Sequence, residues 1–252
     1  MSFEPPAIEI RGLCYHYQDA VALQSVSFTI WGGEKVGIIG PNGAGKSTLL
    51  LHLNGLLIGQ GSVRIHGLEP QKETLPLIRR QVGLVFSDPE DQLFMPTLEQ
   101  DVAFGPLNMG LSPRLARERA RTALETMGLI GLLDRSSHHL SDGERRRAAI
   151  ASVLSMDPSI WVLDEPGANL DPKGKRELVS ILKGLPGTVI LASHDLDLVI
   201  QICDRCLLLD RGQLVDDGPS QDLLSNARLM ERHGLEVPWR LRLKAAGAKE
   251  KG

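Results

Sequence analysis

Residues 40–48, GPNGAGKST, constrain the fold of this chain more than any other segment, because they match the phosphate-loop pattern G-x-x-x-x-G-K-[S/T]. A short apolar run at 36–39 precedes the loop, and the residues after it have helical spacing, with one face formed by Leu49, Leu50, Leu53, Leu56 and Leu57. Glycines let backbone N–H groups curl around a phosphate, and the N-terminus of the following helix adds partial positive charge. We therefore expect Lys46 to contact the β- and γ-phosphates of a nucleotide and the Ser47 hydroxyl to bind Mg²⁺.

The composition is that of an ordinary globular protein. The chain has 252 residues, enough for one or two domains; 42% of them are hydrophobic and 23% charged, which excludes a disordered or fibrous chain. The 28 Lys and Arg residues against 31 Asp and Glu residues give a net charge of -3, so nucleic acid is not an expected partner. No apolar stretch reaches the ~18 residues of a membrane helix, and the first residues do not resemble a signal peptide. We expect a soluble cytosolic chain that can dock on a membrane protein.

Strand and helix patterns alternate along the chain in the way that is typical of an open, mostly parallel sheet. The first thirty residues alternate apolar and polar with period two, which predicts strands at 7–10 and 26–30. A helical segment over about 91–156 follows, and beyond it strands alternate with helices again. The predicted organisation is one domain over residues 1–237, with the helical segment inside it, and a flexible C-terminal tail over 238–252.

The segment IWVLDEP, residues 160–166, is an apolar strand that ends in two carboxylates. In a parallel sheet the ligand lies beyond the carboxyl ends of the strands, which places these carboxylates beside the phosphate loop. Asp164 is then expected to hold Mg²⁺ through water, and Glu165 to orient or deprotonate an attacking water.

The segment LSDGE, residues 140–144, predicts the start of a helix. Ser141 and Glu144 have the S-x-x-E spacing of a capping box, which is a sufficient structural reason for both residues. The three arginines that follow, Arg145, Arg146 and Arg147, are expected on a solvated helix face.

The order of these motifs resembles the nucleotide-binding subunits of ABC transporters. The phosphate loop, L-S-x-G-x, apolar-D-E-P and a later histidine occur in the family's order over about residues 7–220. The resemblance implies an α/β P-loop nucleoside triphosphatase core with a mostly parallel sheet, an antiparallel β layer and an α-helical insert, which binds ATP and Mg²⁺ and hydrolyses ATP. The implied ATP contacts in the loop are Asn42, Gly43, Ala44, Gly45, Lys46, Ser47 and Thr48.

Further roles follow from the same resemblance. Ser141 and Gly143 look like signature residues that contact the γ-phosphate of ATP bound on the opposite subunit, a use that agrees with a capped helix N-terminus as an anion site. His194 looks like the switch histidine, so Lys46, Glu165 and His194 are the expected catalytic residues.

Two more positions are implied at the edges of the site. Tyr17 resembles the aromatic residue that stacks on adenine, and Tyr15, on the same strand face by period two, is the alternative. Asp171 resembles a residue of the loop that links the two sites of a dimer. It is also the expected N-cap of a helix with Pro172 in its first position, and the two roles are compatible.

The chain departs from the family pattern at a few positions. Ser87 stands where the family usually has a glutamine that reaches Mg²⁺ and the attacking water, and a serine is too short to span that gap directly. Asp142 and Glu144 stand where glycine and glutamine are commoner, which brings one acidic group near the incoming phosphates and is expected to weaken binding slightly. Lys46, Asp164, Glu165 and His194 are all present, so hydrolysis stays the favoured interpretation.

One branch of the family is favoured by residues 88–97, 101–108 and 49–57, which resemble the ATPases of energy-coupling-factor importers for cobalt, nickel and vitamins. The implied partners are transmembrane transporter subunits and a second ATP-binding subunit, in a homodimer or heterodimer at the cytoplasmic face of the cell membrane. The alternatives are a soluble ABC-type ATPase of DNA repair or translation, and a hydrolysis-weak partner in a heterodimeric transporter, the latter because of Ser87 and Asp142.

The same branch-specific stretch predicts a docking surface for the transmembrane partner. The surface would be an apolar groove with an acidic rim, which can receive a basic helix of a membrane protein. Its apolar residues are Phe94, Met95 and Phe104, and its acidic residues are Asp88, Glu90 and Asp91. The alternative is that both phenylalanines are core residues of the helical insert.

Overall fold

Two β-sheets and a group of helices make up residues 5–18 and 20–243, the part of the chain that the computed structural model describes. The strands are β1 (Ile8–Tyr17), β2 (Ala20–Ile30), β3 (Lys35–Ile39), β4 (Gln60–Ile65), β5 (Val82–Val85), β6 (Ile160–Asp164), β7 (Thr188–Ala192), β8 (Arg205–Asp210) and β9 (Gln213–Pro219). The α-helices are α1 (Lys46–Leu53), α2 (Leu75–Gln81), α3 (Leu98–Asn108), α4 (Pro113–Thr126), α5 (Asp142–Leu154), α6 (Pro172–Gly184), α7 (Leu196–Ile202), α8 (Ser220–Ser225) and α9 (Ala227–Arg232). Within this part of the chain, no helix is long and apolar enough to cross a membrane.

The larger sheet has the strand order β5-β6-β7-β3-β8-β9, with β9 antiparallel to β8 and the other neighbours parallel. All residues of β5, β6 and β7 are buried, as expected for parallel strands covered on both faces. The register pairs Asp164 with Ala192 and Val85 with Leu163. The residues that follow β3, β5, β6 and β7 therefore all meet at one edge of this sheet.

The smaller sheet is antiparallel, with the order β2-β1-β4. Its apolar residues alternate with polar ones, and Ile8, Ile10, Val26 and Ile30 face the core. The mostly parallel sheet, the antiparallel layer and the helical group confirm the fold class that the sequence predicts.

Helix α1 is shorter than its leucine spacing predicts. It ends at Leu53, and Gly55 takes a left-handed φ of 69°, where an added Cβ would lie 2.2 Å from Leu75 Cδ2. The N–H groups of Leu56 and Leu57 turn back to the carbonyl of Leu51, and the Leu56 side chain is half exposed. The expectation that Leu56 and Leu57 extend the helical face was wrong, because the glycine ends the helix first.

The helical insert is built from α3, α4 and α5, whose apolar sides pack together with the β5–β6 side of the larger sheet. The caps that the sequence predicts are present at α4: Ser112 Oγ accepts a hydrogen bond from Leu115 N, and Gly128 beyond the C-terminus has a φ of 67°. Residue Trp161 of β6 is fully buried within this shared core. The insert is therefore anchored to the strand that ends in Asp164.

The chain stays packed beyond residue 238, where the sequence predicts a flexible tail. The Asp197 carboxylate accepts hydrogen bonds from the backbone N–H groups of Trp239 and Arg240, and Leu241 is buried in the core. The ordered segment therefore extends at least to this leucine, because an apolar side chain and a carboxylate cap hold it. Residues 244–252 of the predicted tail lie outside the described residues.

Replacing Leu241 with alanine tests this packing. We expect Leu241→Ala to lower the free energy of unfolding by about 2 kcal/mol, at the lower end of the range for buried leucines, because the segment is covered on one side only. The same substitution at Leu243, which is 60% exposed, is expected to change it by less than about 0.5 kcal/mol. Urea unfolding of both variants checks the prediction, and equal stabilities would contradict the packed C-terminal segment.

Candidate active site

The phosphate loop connects β3 to α1 through glycines that no other residue can replace without strain. Gly40 has a φ of 150°, and a Cβ added there would lie 2.0 Å from Leu209 O. Gly45 has a φ of 101° and would place a Cβ 2.6 Å from Ala22 O. Because Gly45 occupies the N-cap position, no side chain covers the N–H groups of the first turn of α1. These N–H groups form a ready anion site.

The Lys46 ammonium lies over this loop and is 7% exposed. Its Nζ donates to the carbonyls of Gly40 at 2.8 Å and Pro41 at 3.1 Å. Burial lowers the pKa of Lys46, while the nearby carboxylates of Glu165 and Asp164 act in the opposite direction. Phosphate oxygens can take the place of these two carbonyl acceptors of Lys46 Nζ.

The carboxylate of Asp164 is 8% exposed and follows the buried strand β6. Among the described residues, its Oδ1 has no hydrogen-bond partner. Burial raises the pKa of Asp164, and the neighbouring Ser47 hydroxyl lowers it. A buried oxygen without a partner beside a hydroxyl fits Mg²⁺, which binds one or two protein oxygens and completes its shell with phosphates and waters. The described residues contain no cluster of three His, Cys, Asp or Glu residues that could hold a metal by themselves.

Glu165 and His194 are in direct contact. The Glu165 carboxylate accepts hydrogen bonds from His194 N at 3.0 Å and Ser193 Oγ at 3.1 Å, and its Oε2 lies 2.9 Å from His194 Nδ1. The Glu165 backbone has a left-handed φ of 44°, and its N–H donates to Ala192 O of β7. This strained backbone turns the carboxylate toward the loop after β7, where the His194 side chain is 61% exposed.

The two residues expected from the signature pattern begin α5, away from the phosphate loop. Ser141 forms the predicted capping box: its Oγ accepts from Glu144 N, and Glu144 Oε2 accepts from Ser141 N at 2.8 Å. The hydrogen bonds that Ser141 N and Ser141 Oγ donate to the Glu144 carboxylate lower the pKa of Glu144. In the described part of the chain, neither Ser141 nor Gly143 shares a hydrogen bond or cavity with residues 40–48.

The two tyrosines predicted to stack on adenine, Tyr17 and Tyr15, differ in how exposed their rings are. Tyr17, at the end of β1, is 45% exposed and meets the edge of the Tyr15 ring, with 4.9 Å between the centroids. Tyr15 is partly buried and packs on His52 of α1, again at 4.9 Å. The Tyr17 ring has the freer face for stacking, which favours it over Tyr15.

Asp171 caps α6, as the sequence predicts. Its Oδ1 accepts a hydrogen bond from Gly174 N at 2.7 Å, and Pro172 occupies the first helical position. The capping role is therefore present within one chain.

Two residues at the site were missed or misplaced by sequence reasoning. Ser193 was missed, although it lies between β7 and His194, and its hydroxyl contacts the Glu165 carboxylate. Arg146 was expected on a solvated face, but it is 4% exposed and donates to the carbonyls of Phe86 at 3.2 Å and Ser87 at 2.8 Å. The expectation was wrong because the turn of α5 directs Arg146 toward the loop after β5, whereas Arg145 and Arg147 stay at the surface.

A groove of 670 Å³ separates the helical insert from α2 and β5. Phe94 and Phe104 line it, 60% and 38% exposed, with their rings edge to face at 5.1 Å. They are therefore not core residues. The expected acidic rim was only partly right: Asp91 lines the groove, while Asp88 and Glu90 line a separate cavity beside Ser87. The opposite side is basic because α2 and the loop before it contribute Lys72, Arg79 and Arg80.

A phosphate loop between a strand and a helix, with an acidic pair at the end of a neighbouring parallel strand, defines a P-loop nucleoside triphosphatase. The sequence profile described as ABC transporter matches residues 23–168. This chain therefore belongs to the ABC transporter family, as one of its ATP-binding, ATP-hydrolysing subunits.

Relatives extend this match over nearly the whole chain. A protein of Gloeobacter violaceus, named as an ABC transporter ATP-binding protein, is 50% identical over 239 residues, which are 93% of this chain and 97% of that protein. The energy-coupling factor transporter ATP-binding protein EcfA of Carboxydothermus hydrogenoformans is 46% identical over 242 residues, which are 94% of this chain and 89% of that protein.

Solved structures share the fold. The structure of CbiO1 from Clostridium perfringens, part of the ABC transporter complex CbiONQ, superimposes with a TM-score of 0.78 at 34% identity, covering 96% of this chain and 100% of that one. The ATP-binding cassette MJ0796, in a dimeric post-hydrolysis state bound to ADP and Pi, superimposes with a TM-score of 0.77 at 27% identity, covering 84% of this chain and 98% of that one.

Replacing Glu165 with glutamine tests its role as the base. We expect Glu165→Gln to keep ATP binding but to lose about 10²–10⁴-fold in turnover, the usual effect of removing a general base. The variant should also accumulate as an ATP-bound dimer. Steady-state ATPase assays and size-exclusion chromatography with ATP measure both effects. Glu118→Gln, at an exposed position of α4, serves as the control. Turnover equal to that of the unaltered chain would contradict the assignment.

Proposed function

We propose that this chain hydrolyses Mg²⁺-ATP as the ATP-binding subunit of an energy-coupling-factor importer. One observation carries the proposal. The phosphate loop, the buried Asp164 and the Glu165–His194 contact all lie at the same edge of the larger sheet. The similarity to the Carboxydothermus EcfA supports the importer branch.

The residues at this edge divide the chemistry among them. The N–H groups of residues 42–48 and the Lys46 ammonium hold the β- and γ-phosphates, and Ser47 and Asp164 hold Mg²⁺. The metal supplies charge neutralisation on the phosphates. Glu165 takes the proton of the water that attacks the γ-phosphorus, and ADP leaves as the bond between the β-phosphate oxygen and the γ-phosphorus breaks. His194, whose Nδ1 lies 2.9 Å from the Glu165 carboxylate, turns to the γ-phosphate.

A complete site needs two chains. One chain offers a phosphate loop and, separately, the capped N-terminus of α5 with Ser141 and Gly143. A head-to-tail pair brings the α5 N-terminus of one chain to the γ-phosphate held by the other, in two equivalent sites. Tyr17 stacks on the adenine, and Asp171 lies in the loop that joins the two sites. The dimeric state of the MJ0796 cassette supports this arrangement.

The substitution Ser141→Arg tests the two-chain site. We expect it to leave nucleotide binding by one chain intact and to abolish hydrolysis, because a long cation replaces the small hydroxyl at the contact with the partner chain's nucleotide. Ser112→Arg is the matched control, since it also removes a helix N-cap, at a cost of about 1 kcal/mol, but away from the site. Equilibrium binding of a fluorescent ATP analogue and ATPase assays give the two readouts. Normal ATP hydrolysis by Ser141→Arg would contradict the contact with the partner chain's nucleotide and leave Ser141 with the role of helix N-cap alone.

The groove beside the insert is proposed to receive a helix of the transmembrane subunit, which places the chain at the cytoplasmic face of the membrane. The phenylalanine pair offers an exposed apolar floor, and the two sides carry charges of opposite sign. A segment with an apolar face and charges at both margins would fit this surface.

Replacing Phe94 and Phe104 with serine tests this docking. We expect the double variant to lose co-purification with the transmembrane subunit from membrane extracts, while ATP binding at Lys46 is kept. Ile130→Ser, at an exposed position of the same insert outside the groove, is the control. Because both rings are solvent-exposed in part, the melting temperature of the isolated chain should change little. A large fall in that temperature would instead assign the rings to the core of the insert.

The transported solute is proposed to be cobalt, nickel or a vitamin. The proposal rests on the resemblance of residues 88–97 and 101–108 to importers of these solutes. Mass spectrometry of the membrane proteins that co-purify with the chain, followed by uptake assays with radiolabelled solutes, tests it.

A further inference from the structure

A buried guanidinium joins α5 to the loop after β5. Arg146 projects from the second turn of α5, and its Nη1 donates to the carbonyls of both Phe86 and Ser87. Its neighbours behave differently, because Arg145 pairs with Asp142, and Arg147 pairs with Glu177 at 3.0 Å, at the surface. Only one nitrogen of Arg146 makes both bonds to the loop.

The side chain of Gln92 connects the backbone of Phe86 to α5 a second time. Its Oε1 accepts from Phe86 N at 3.2 Å, and its Nε2 donates to Ala149 O at 2.8 Å and Ser152 Oγ at 2.7 Å. Both the N–H and the carbonyl of Phe86 are therefore fixed to α5, and a shift of one element without the other would break several hydrogen bonds.

Holding Arg146 in this place carries an energetic cost. Within the described residues, no carboxylate lies at ion-pair distance from the guanidinium, so its charge is balanced by backbone carbonyls. Burial lowers the pKa of Arg146, and the carboxylates of Asp88 and Asp142 oppose this. Because the buried charge depends on two carbonyls, both must stay at hydrogen-bond distance. Losing either one would leave the charge with fewer acceptors, which is unfavourable in the protein interior.

The two carbonyls belong to the loop after β5, which borders both the groove and the end of β6. Val85 pairs with Leu163, so the loop after β5 leaves the sheet beside Asp164 and Glu165. Phe86 lines the groove, and Ser87 lines the cavity that Arg146 and Asn169 share. Helix α5, at the other end of the link, begins at the Ser141 cap.

We propose that Arg146 is a positioning residue that makes residues 86–88 and α5 move as one unit, so that a partner in the groove and a nucleotide at the α5 N-terminus bias the same movement. The inference rests on the proposed function and deepens it. The link uses the backbone of Ser87, so the short side chain at this position does not interrupt it. The partner in the groove and the nucleotide therefore act on the same unit, residues 86–88 with α5. Coupling between them does not need a series of side-chain contacts through the core.

Hydrogen exchange read by mass spectrometry tests the link in the full chain. All samples carry Glu165→Gln so that ATP persists, and exchange is compared with and without Mg²⁺-ATP. In this reference chain we expect ATP to slow exchange at residues 40–48, 86–94 and 141–147. With Arg146→Gln added, the response at 86–94 should be lost while that at 40–48 is kept. Arg114→Gln, at an exposed position of α4, should keep all three responses.

Two further measurements separate positioning from folding. In chains with Glu165 intact, Arg146→Gln should lower kcat roughly 10–100-fold with an unchanged KM for ATP, since a misplaced loop affects the reacting geometry more than nucleotide binding. Arg146→Lys should retain kcat and the 86–94 response, because one ammonium can replace the single nitrogen that makes both bonds. If Arg146→Gln does not fold, Arg146→Met takes its place, and a normal 86–94 response in folded Arg146→Met overturns the link.

The outcomes distinguish the two proposals. A normal 86–94 response in folded Arg146→Gln would overturn the role of Arg146 and leave ATP hydrolysis untouched. A reference chain that responds at 40–48 but not at 86–94 would overturn it as well. No response at 40–48 in the reference chain would contradict nucleotide binding, and both proposals would fall.

Discussion

The parallel pairing of β7 with β6 on one side and β3 on the other is the constraint on which the rest of the site depends. This pairing aligns the carboxyl ends of three strands, so the phosphate loop, the Asp164–Glu165 pair and the Ser193–His194 loop leave the sheet side by side. The strands are apolar and buried, and their pairing needs no polar side chain in the sheet interior. The polar residues of these three strands lie at the strand ends, with Lys35 and Thr188 at the amino ends and Asp164 at the carboxyl end of β6.

Buried charges give this edge its electrostatic character. Lys46, Asp164 and Arg146 are each less than a tenth exposed, and moving such groups out of water is costly. Loop carbonyls hold both cations, and the Ser47 hydroxyl lies beside the aspartate. These buried polar contacts are already formed in the single chain, as they are in preorganised sites that stabilise developing charge.

Helix α5 connects the separate parts of the molecule. Its first turn carries the Ser141 cap, its second turn carries Arg146, and its apolar side packs with the other helices of the insert. The groove lies between that insert on one side and α2 and β5 on the other. Helix α5 therefore reaches from the groove, which Ser152 and Val153 line, to the Ser141 cap at its other end.

The local chemistry of the site was determined by the sequence alone. Three features depend only on the spacing of a few neighbouring residues: the loop at 40–48, the carboxylates at the end of an apolar strand, and the caps at Ser112 and Ser141. The conformational freedom of glycine and the reach of short side chains decide whether these local structures form. These features appear in the structure where the pattern predicts them. The parallel sheet also follows from the alternation of strands and helices.

Tertiary structure decided whatever depends on neighbours far apart in the chain. The burial of Arg146 requires the carbonyls of Phe86 and Ser87, some sixty residues away, and no periodicity within α5 encodes them. The basic side of the groove comes from α2 and the loop before it. The segment that contains the buried Leu241 is held by a hydrogen bond from Trp239 N to Asp197. An arginine has the same helical propensity at the surface as against a buried loop, so only packing against another element fixes whether it is solvated or bound.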